Sequence, residues 1–121
     1  MKQMLSIEQS AELIRKGIPN NRASDFEAVS STNPRGIGGQ VMMARPIFTL
    51  ADLLSLLPKH ISFANAEWYL NIQWDILDNK WHVQYLDFDH YDEVVKEEEA
   101  PELIDALYQL TLAVINHVKL D

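Results

Sequence analysis

The chain has 121 residues, no cysteine, 47% hydrophobic residues and a net charge of −8. A chain of this length fits one compact domain and can bury roughly two thirds of the surface that its unfolded form exposes. The lack of cysteine excludes disulfides, thiolate metal sites and a cysteine nucleophile, and it suits a reducing cytoplasm. Glu8 and Glu12 interrupt the apolar pattern near the N-terminus, and no run of about 18 apolar residues follows. We therefore expect a cytoplasmic protein with neither a signal peptide nor a membrane span.

The negative charge is confined to one part of the chain. Residues 1–85 contain eight acidic and eight basic side chains, whereas residues 86–121 contain ten acidic and two basic ones. Nonspecific nucleic-acid binding and anionic-membrane binding both need clustered Lys and Arg. We therefore expect no direct nucleic-acid or membrane partner, and we expect a protein partner to be basic.

The N-terminal part, residues 1–45, predicts one short helix followed by irregular chain. Ser6 and Gln9 have the spacing of a capping box and Gly17 suits a helix end, which predicts a helix over residues 7–16. Residues 18–46 are rich in Pro, Gly and small polar side chains, so residues 20–40 are interpreted as a linker or a binding loop. The PRGIGG run within them lacks the third glycine of a dinucleotide fingerprint and the lysine of a P-loop.

Residues 46–121 predict the core of the same single domain. Thr49 and Asp52 suit the start of a Leu-rich helix over residues 50–57, which Pro58 ends. A longer helix is predicted from Pro101, which suits a first helical position. Its apolar stripe is wide enough to need two neighbours, namely the preceding hairpin and either the Leu-rich helix or a partner subunit.

Alternating apolar and polar residues over 68–76 and 81–85 predict a β-hairpin. The apolar faces of the two strands coincide only when the numbers of paired residues have an odd sum, so the turn must contain an even number of residues. A two-residue turn at Asp78 and Asn79 would place Ile76 opposite Trp81, and we expect this register. The alternation favours core packing over ligand stacking for Trp68, Trp74 and Trp81.

The expected fold class is α+β, with an antiparallel hairpin packed against the C-terminal helix and the short Leu-rich helix. A two-stranded sheet is marginal alone, so a third strand is expected. QVMMARPI, residues 40–47, is the favoured source, although Pro46 restricts it to an edge. The alternative is a second copy of the chain, which would make a homodimer.

The segment LDFDHYDEVVKEEEAPE contains the strongest candidates for a functional site. An EF-hand interpretation fails because Tyr91 and Asp92 occupy the fifth and sixth loop positions, where an oxygen ligand and glycine are needed. A solvated acidic connection between strand and helix is the favoured interpretation. The candidate metal ligands are Asp87, Asp89, His90 and Asp92, and the candidate interaction residues are Glu93, Glu97, Glu98 and Glu99.

No sequence motif supplies catalytic residues or predicts a bound cofactor. The four histidines lack HExxH spacing, and no GxSxG motif is present. The function that these observations favour is a nonenzymatic protein-interaction module. The alternative is a metal-dependent hydrolase that uses the acidic segment after the hairpin.

The segments PIFTLADLLSLLPKHI, YLNIQW and LIDALYQLTLAVINH resemble a group of small uncharacterised proteins from Bacteroidetes phages and mobile elements. The resemblance spans about residues 46–117, and LSIEQSAELIRKGI resembles the group more weakly. It implies a short helix, a hairpin and a terminal helix, in an accessory protein of a mobile or gut-bacterial genome. The group supplies no catalytic residues that can be placed on this chain.

Overall fold

The computed structural model describes residues 2–32, 40–63, 66–87 and 94–116. The described helices and strands, in chain order, are α1 (Ile7–Arg15), β1 (Asp25–Thr32), β2 (Gln40–Ile47), α2 (Leu50–Leu56), β3 (His60–Phe63), β4 (Ala66–Asp75), β5 (Lys80–Asp87), β6 (Val94–Ala100) and α3 (Leu103–Val114). The strands form an antiparallel pair, β1-β2, and a four-stranded antiparallel sheet in the order β3-β4-β5-β6. The expected α+β class is confirmed.

Local capping determines where α1 and α2 begin. The N–H of Gln9 donates to Ser6 Oγ and the N–H of Ser6 donates to Gln9 Oε1, both at 3.0 Å. Thr49 and Asp52 form the same reciprocal arrangement at the start of α2. Both predicted starts are confirmed, because each cap depends on residues only three positions apart. Gly17 has φ +116°, the left-handed conformation expected just after the end of α1.

The prediction of irregular chain over residues 18–46 is wrong for much of this segment. Residues 25–32 form β1, which pairs with β2 so that Asp25 lies opposite Ile47 and Thr32 opposite Gln40. Backbone pairing in a two-stranded ribbon needs no sustained apolar alternation, and in DFEAVSST the alternation stops after Ala28. The PRGIGG run lies in residues 33–39, outside the described residues.

The hairpin of β4 and β5 has the predicted parity but not the predicted register. Trp74 lies opposite Trp81, so the turn contains the four residues 76–79 and not two. Asp75 explains the difference, because its Oδ1 accepts hydrogen bonds from the N–H groups of Leu77 and Asp78 at 2.9 and 3.1 Å. Ile76 therefore belongs to the turn, where it is 80% exposed.

The sheet is completed by strands that the sequence did not indicate. QVMMARPI is a strand, as predicted, but it pairs with β1 in the two-stranded sheet. β3 and β6 flank the hairpin instead. The expectation of a solvated acidic connection is wrong for residues 94–100, since these residues pair with β5 through their backbone. Val94 to Ala100 needs little apolar burial because it forms the outermost strand.

The core lies between one face of the four-stranded sheet and the helices. The sheet contributes Trp68, Val83 and Tyr85, all at most 8% exposed. α3 packs against β5, β6 and α2, which confirms the expected hairpin and Leu-rich helix as its neighbours. The start predicted at Pro101 is wrong, since Glu102 is the N-cap and Leu103 the first helical residue. No helix within the described ranges is long and apolar enough to cross a membrane.

Candidate functional site

The main polar cluster of the described chain lies on the sheet face that points away from α3. Successive side chains of a strand point to opposite faces, so His82 lies on the face opposite Val83 and Tyr85. In the sheet register His82 stands opposite Gln73 of β4 and Glu99 of β6. β5 therefore places His82 between two strands that both carry carboxylates.

Three carboxylates surround the His82 imidazole. Its Nδ1 lies 3.3 Å from Oε1 of Glu97, and its Nε2 lies 3.3 Å from both Oδ2 of Asp75 and Oε2 of Glu99. The His82 side chain is 18% exposed, whereas the side chains of Glu97 and Glu99 are nearly half exposed. The carboxylates consequently form the outer surface of the cluster, which we call the His82 cluster (Asp75, His82, Glu97 and Glu99).

The two imidazole nitrogens have different environments. Nδ1 is within hydrogen-bonding geometry of Glu97. Nε2 is buried and forms no hydrogen bond with any described residue, although two carboxylates approach it. Both nitrogens therefore face carboxylates, and only Nδ1 forms a hydrogen bond within the described part of the chain.

Asp75 is the residue that joins the turn to the cluster. The backbone N–H of Asp78 is the main cause that lowers the pKa of the Asp75 carboxyl below its usual value. Partial desolvation opposes this effect, and the N–H of Leu77 and the charge of His82 add to it. Because these donors fix the carboxylate, Asp75 stays ionised and is held in place beside His82.

A shallow cavity of about 450 Å³ adjoins the cluster. It is lined by residues of the cluster, by their strand neighbours and by two apolar residues of the turn, namely Asp75, His82, Glu97, Gln73, Trp74, Gln84, Ile76 and Leu77. Leu77 is 92% exposed and Ile76 is 80% exposed. Acidic and exposed apolar groups therefore meet on one surface.

Two overlapping sets of side chains have the spacing that a divalent cation needs. Asp75, Asp78 and His82 form one set, and His82, Glu97 and Glu99 form the other. Within each set the ligand atoms lie within 4.8 Å of one another. Imidazole nitrogen with carboxylate oxygen suits Zn²⁺ and Mn²⁺ better than a purely acidic set would.

The structure brings together only part of the site that the sequence predicted. Glu97 and Glu99 belong to the His82 cluster, whereas Glu98 stands opposite Val83 and so lies on the other sheet face. Asp87 is 7% exposed and lies opposite Trp68 at the far end of β5. The predicted residues Asp89, His90, Asp92 and Glu93 lie outside the described residues.

Sequence reasoning did not identify Asp75 and His82 as site residues. The alternation that predicted the hairpin did place both on its polar face, which is the signal that was available. Their meeting with Glu97 and Glu99 depends on the pairing of β5 with β6. That pairing has no apolar pattern to reveal it.

No protein-family model, curated protein or solved structure matches this chain. Neither a family nor a function is therefore transferred to the chain from known proteins.

Proposed function

We propose that the chain is a nonenzymatic protein-interaction module that binds a basic segment of a partner protein on the His82 cluster. The observation that carries the proposal is the convergence of Asp75, Glu97 and Glu99 around one imidazole, at 3.3 Å each. A surface of this kind attracts Lys and Arg and accelerates their encounter with it.

The charge of the cluster is only partly balanced by the chain itself. Lys80 Nζ lies 3.5 Å from Glu99 Oε1, and both side chains are over 40% exposed. An exposed ion pair of this length is weak, so it leaves Glu99 available to a competing cation. Within the described ranges, Glu97 forms its ion pair with His82. Added Lys or Arg side chains would therefore meet carboxylates that are held in place but incompletely neutralised.

The neighbouring apolar residues favour a protein as the ligand over a free cation. Ile76 and Leu77 are exposed in the turn beside the carboxylates. Protein interfaces typically combine an aromatic or aliphatic centre with a charged rim. We infer that the bound segment carries apolar side chains next to its basic ones. We further propose a cytoplasmic accessory role in a bacterial host, which is the role that the sequence resemblance to proteins of phages and mobile elements would imply.

Affinity capture with matched variants tests this function. The immobilised chain, at micromolar concentration, is incubated with a gut-bacterial lysate, and retained proteins are identified by mass spectrometry. The double variant Glu97→Gln/Glu99→Gln should lose a partner that the wild type retains, and high salt should release it. The control Glu8→Gln/Glu27→Gln removes two exposed carboxylates elsewhere and should retain it. Equal retention by both variants, or no specific partner, would contradict the proposal.

A metal-dependent hydrolase is the second candidate function, and the convergent ligand atoms around His82 are the observation that favours it. In this proposal the cluster would hold the cation that the earlier hypothesis assigned to Asp87, Asp89, His90 and Asp92. Calorimetric titration with Mg²⁺, Mn²⁺, Ca²⁺ and Zn²⁺ tests both assignments. If His82→Gln weakens metal binding, the cation site is the His82 cluster. If Asp89→Asn weakens it, the site lies in the later acidic segment. Flat titrations would remove this candidate.

A further inference from the structure

The outer edge of β6 is the longest sheet edge without a partner strand among the described residues of the four-stranded sheet. β6 has seven residues and pairs only with β5, while β3 at the opposite edge has four residues. An edge strand presents N–H and C=O groups at every second residue that no neighbour satisfies. β6 therefore offers a backbone template for a further strand.

The side chains of β6 determine which strand can use this template. Glu97 and Glu99 lie on the polar sheet face, and Lys96 and Glu98 occupy alternate positions on the other. If a second copy of β6 paired antiparallel about Glu98, Glu97 would stand opposite Glu99 of the other copy. Like charges directly opposite each other destabilise a strand pair, so this edge disfavours self-association.

A basic strand at this edge would place unlike charges opposite each other. Lys or Arg at two positions separated by one residue would stand opposite Glu97 and Glu99, and each cross-strand pair of opposite charges is stabilising. His82 Nδ1 is hydrogen-bonded to Glu97 and Nε2 lies 3.3 Å from Glu99, so both carboxylates are already positioned next to β5 and less side-chain freedom is lost on binding. The charge pattern that opposes a second copy therefore favours an extended basic segment.

We propose that a partner segment adds to the outer edge of β6 as a fifth strand, with Lys or Arg at alternate positions facing Glu97 and Glu99. The inference rests on the proposed function and specifies its partner and binding mode. Backbone hydrogen bonds to β6 supply part of the affinity, and the alternate basic side chains supply the selectivity.

Four synthetic peptides test this inference against the full chain. The first alternates Lys and Val, and the second has the same composition with its lysines in one block. The third and fourth are the first with every second backbone amide methylated, in each of the two possible patterns. Titrations are followed by amide NMR, and amide hydrogen exchange of β6 is measured with and without peptide. We expect the alternating peptide to bind about tenfold more tightly than the block peptide, which corresponds to about 1.4 kcal/mol.

If the peptide pairs with β6 through its backbone, two further results are expected. The alternating peptide should slow exchange of the outward-facing β6 amides, and one of the two possible methylation patterns should abolish its binding. Glu97→Gln/Glu99→Gln should weaken the alternating peptide about tenfold, while Glu8→Gln/Glu27→Gln should leave its affinity unchanged. These results together would support strand addition.

The opposing outcomes separate strand addition from acidic docking in general. Equal binding of all four peptides, still weakened by Glu97→Gln/Glu99→Gln, would overturn strand addition and leave the proposed function standing. Absence of binding by every peptide at millimolar concentration would also overturn strand addition. The lysate capture with the same variants would then decide the proposed function separately.

Discussion

The hydroxyl of Tyr85 donates a hydrogen bond of 2.7 Å to the carbonyl oxygen of Pro58, and Tyr85 is fully buried. This bond joins β5 to Pro58, which follows the C-cap residue of α2. We expect Tyr85→Phe to lower the free energy of unfolding by about 1–2 kcal/mol, because the buried carbonyl oxygen loses its donor. Urea denaturation followed by circular dichroism measures the change.

Tyr108 supplies a control for this substitution. It is 8% exposed, and its hydroxyl has no hydrogen-bond partner among the described residues. Tyr108→Phe should therefore change the unfolding free energy by less than about 0.5 kcal/mol. Equal losses for the two variants would show that the Pro58 bond is not the source of the effect.

Asp52 should contribute stability that disappears in acid. Burial alone would raise the pKa of its carboxyl, but hydrogen bonds from Thr49 and Ser24 outweigh burial and lower it. A carboxyl whose pKa is lower in the folded state stabilises the fold above its unfolded value of 3.8, and this contribution is lost as the pH falls through the folded pKa. Asp52→Asn should cost about 1–3 kcal/mol at pH 7, since charge-assisted bonds are lost.

The pH dependence distinguishes this effect from a packing defect. The stability difference between the wild type and Asp52→Asn should narrow as the pH falls below the unfolded pKa of 3.8 towards the lower folded pKa, where the folded carboxyl also becomes protonated. Unfolding curves at pH 7, 5 and 3 measure it. Asp25→Asn, at an exposed position, is the matched control and should show a small difference at each pH. A cost for Asp52→Asn that does not vary with pH would refute the assignment.

Asn79 adopts a left-handed backbone conformation, with φ +59°, at the end of the β4-β5 turn. Asn79→Gly should be neutral or slightly stabilising, because glycine adopts this conformation without a steric cost. Asn79→Val should destabilise the fold by about 1–2 kcal/mol, the cost of the left-handed conformation for a residue with a branched Cβ. Thermal unfolding of both variants and the wild type measures their relative stabilities. A valine variant as stable as the glycine variant would contradict the observed turn.

Trp74 and Trp81 form an edge-to-face pair across the hairpin, with ring centroids 5.3 Å apart and planes at 61°. Such pairs contribute about 0.5–1.5 kcal/mol beyond the area they bury. A double-mutant cycle with Trp74→Leu and Trp81→Leu should return a coupling energy in this range. The two-residue turn expected from the sequence would have separated the rings, so a coupling near zero would favour that register over the observed one.

The capping boxes show why some of the fold follows from the sequence. Ser6 with Gln9, and Thr49 with Asp52, each lie within one helical turn, so neighbouring residues alone decide the outcome. The parity of the hairpin also follows from its alternation. The turn length does not, because it depends on Asp75, whose polar character suits a strand end and a turn cap equally well.

The edge strands of the sheets could not be predicted from the sequence in the same way. β1 and β6 gain their stability through backbone pairing and carry little apolar alternation, so hydrophobic periodicity gives no signal for them. The same lack of signal hid the candidate site. His82 and Glu97 are 15 residues apart and meet only because β5 and β6 pair with Gln84 opposite Glu97.

The order β3-β4-β5-β6 has a consequence for how the chain folds. Every strand of this sheet pairs with its neighbour along the chain, so each pairing closes only a short loop. The N-terminus joins the assembly differently, since the backbone N–H of Lys2 donates to Glu102, 100 residues away. Proteins rich in short-range contacts fold quickly, which favours early formation of the sheet by successive hairpins. Closure of the N-terminus onto α3 should then be a late event in folding.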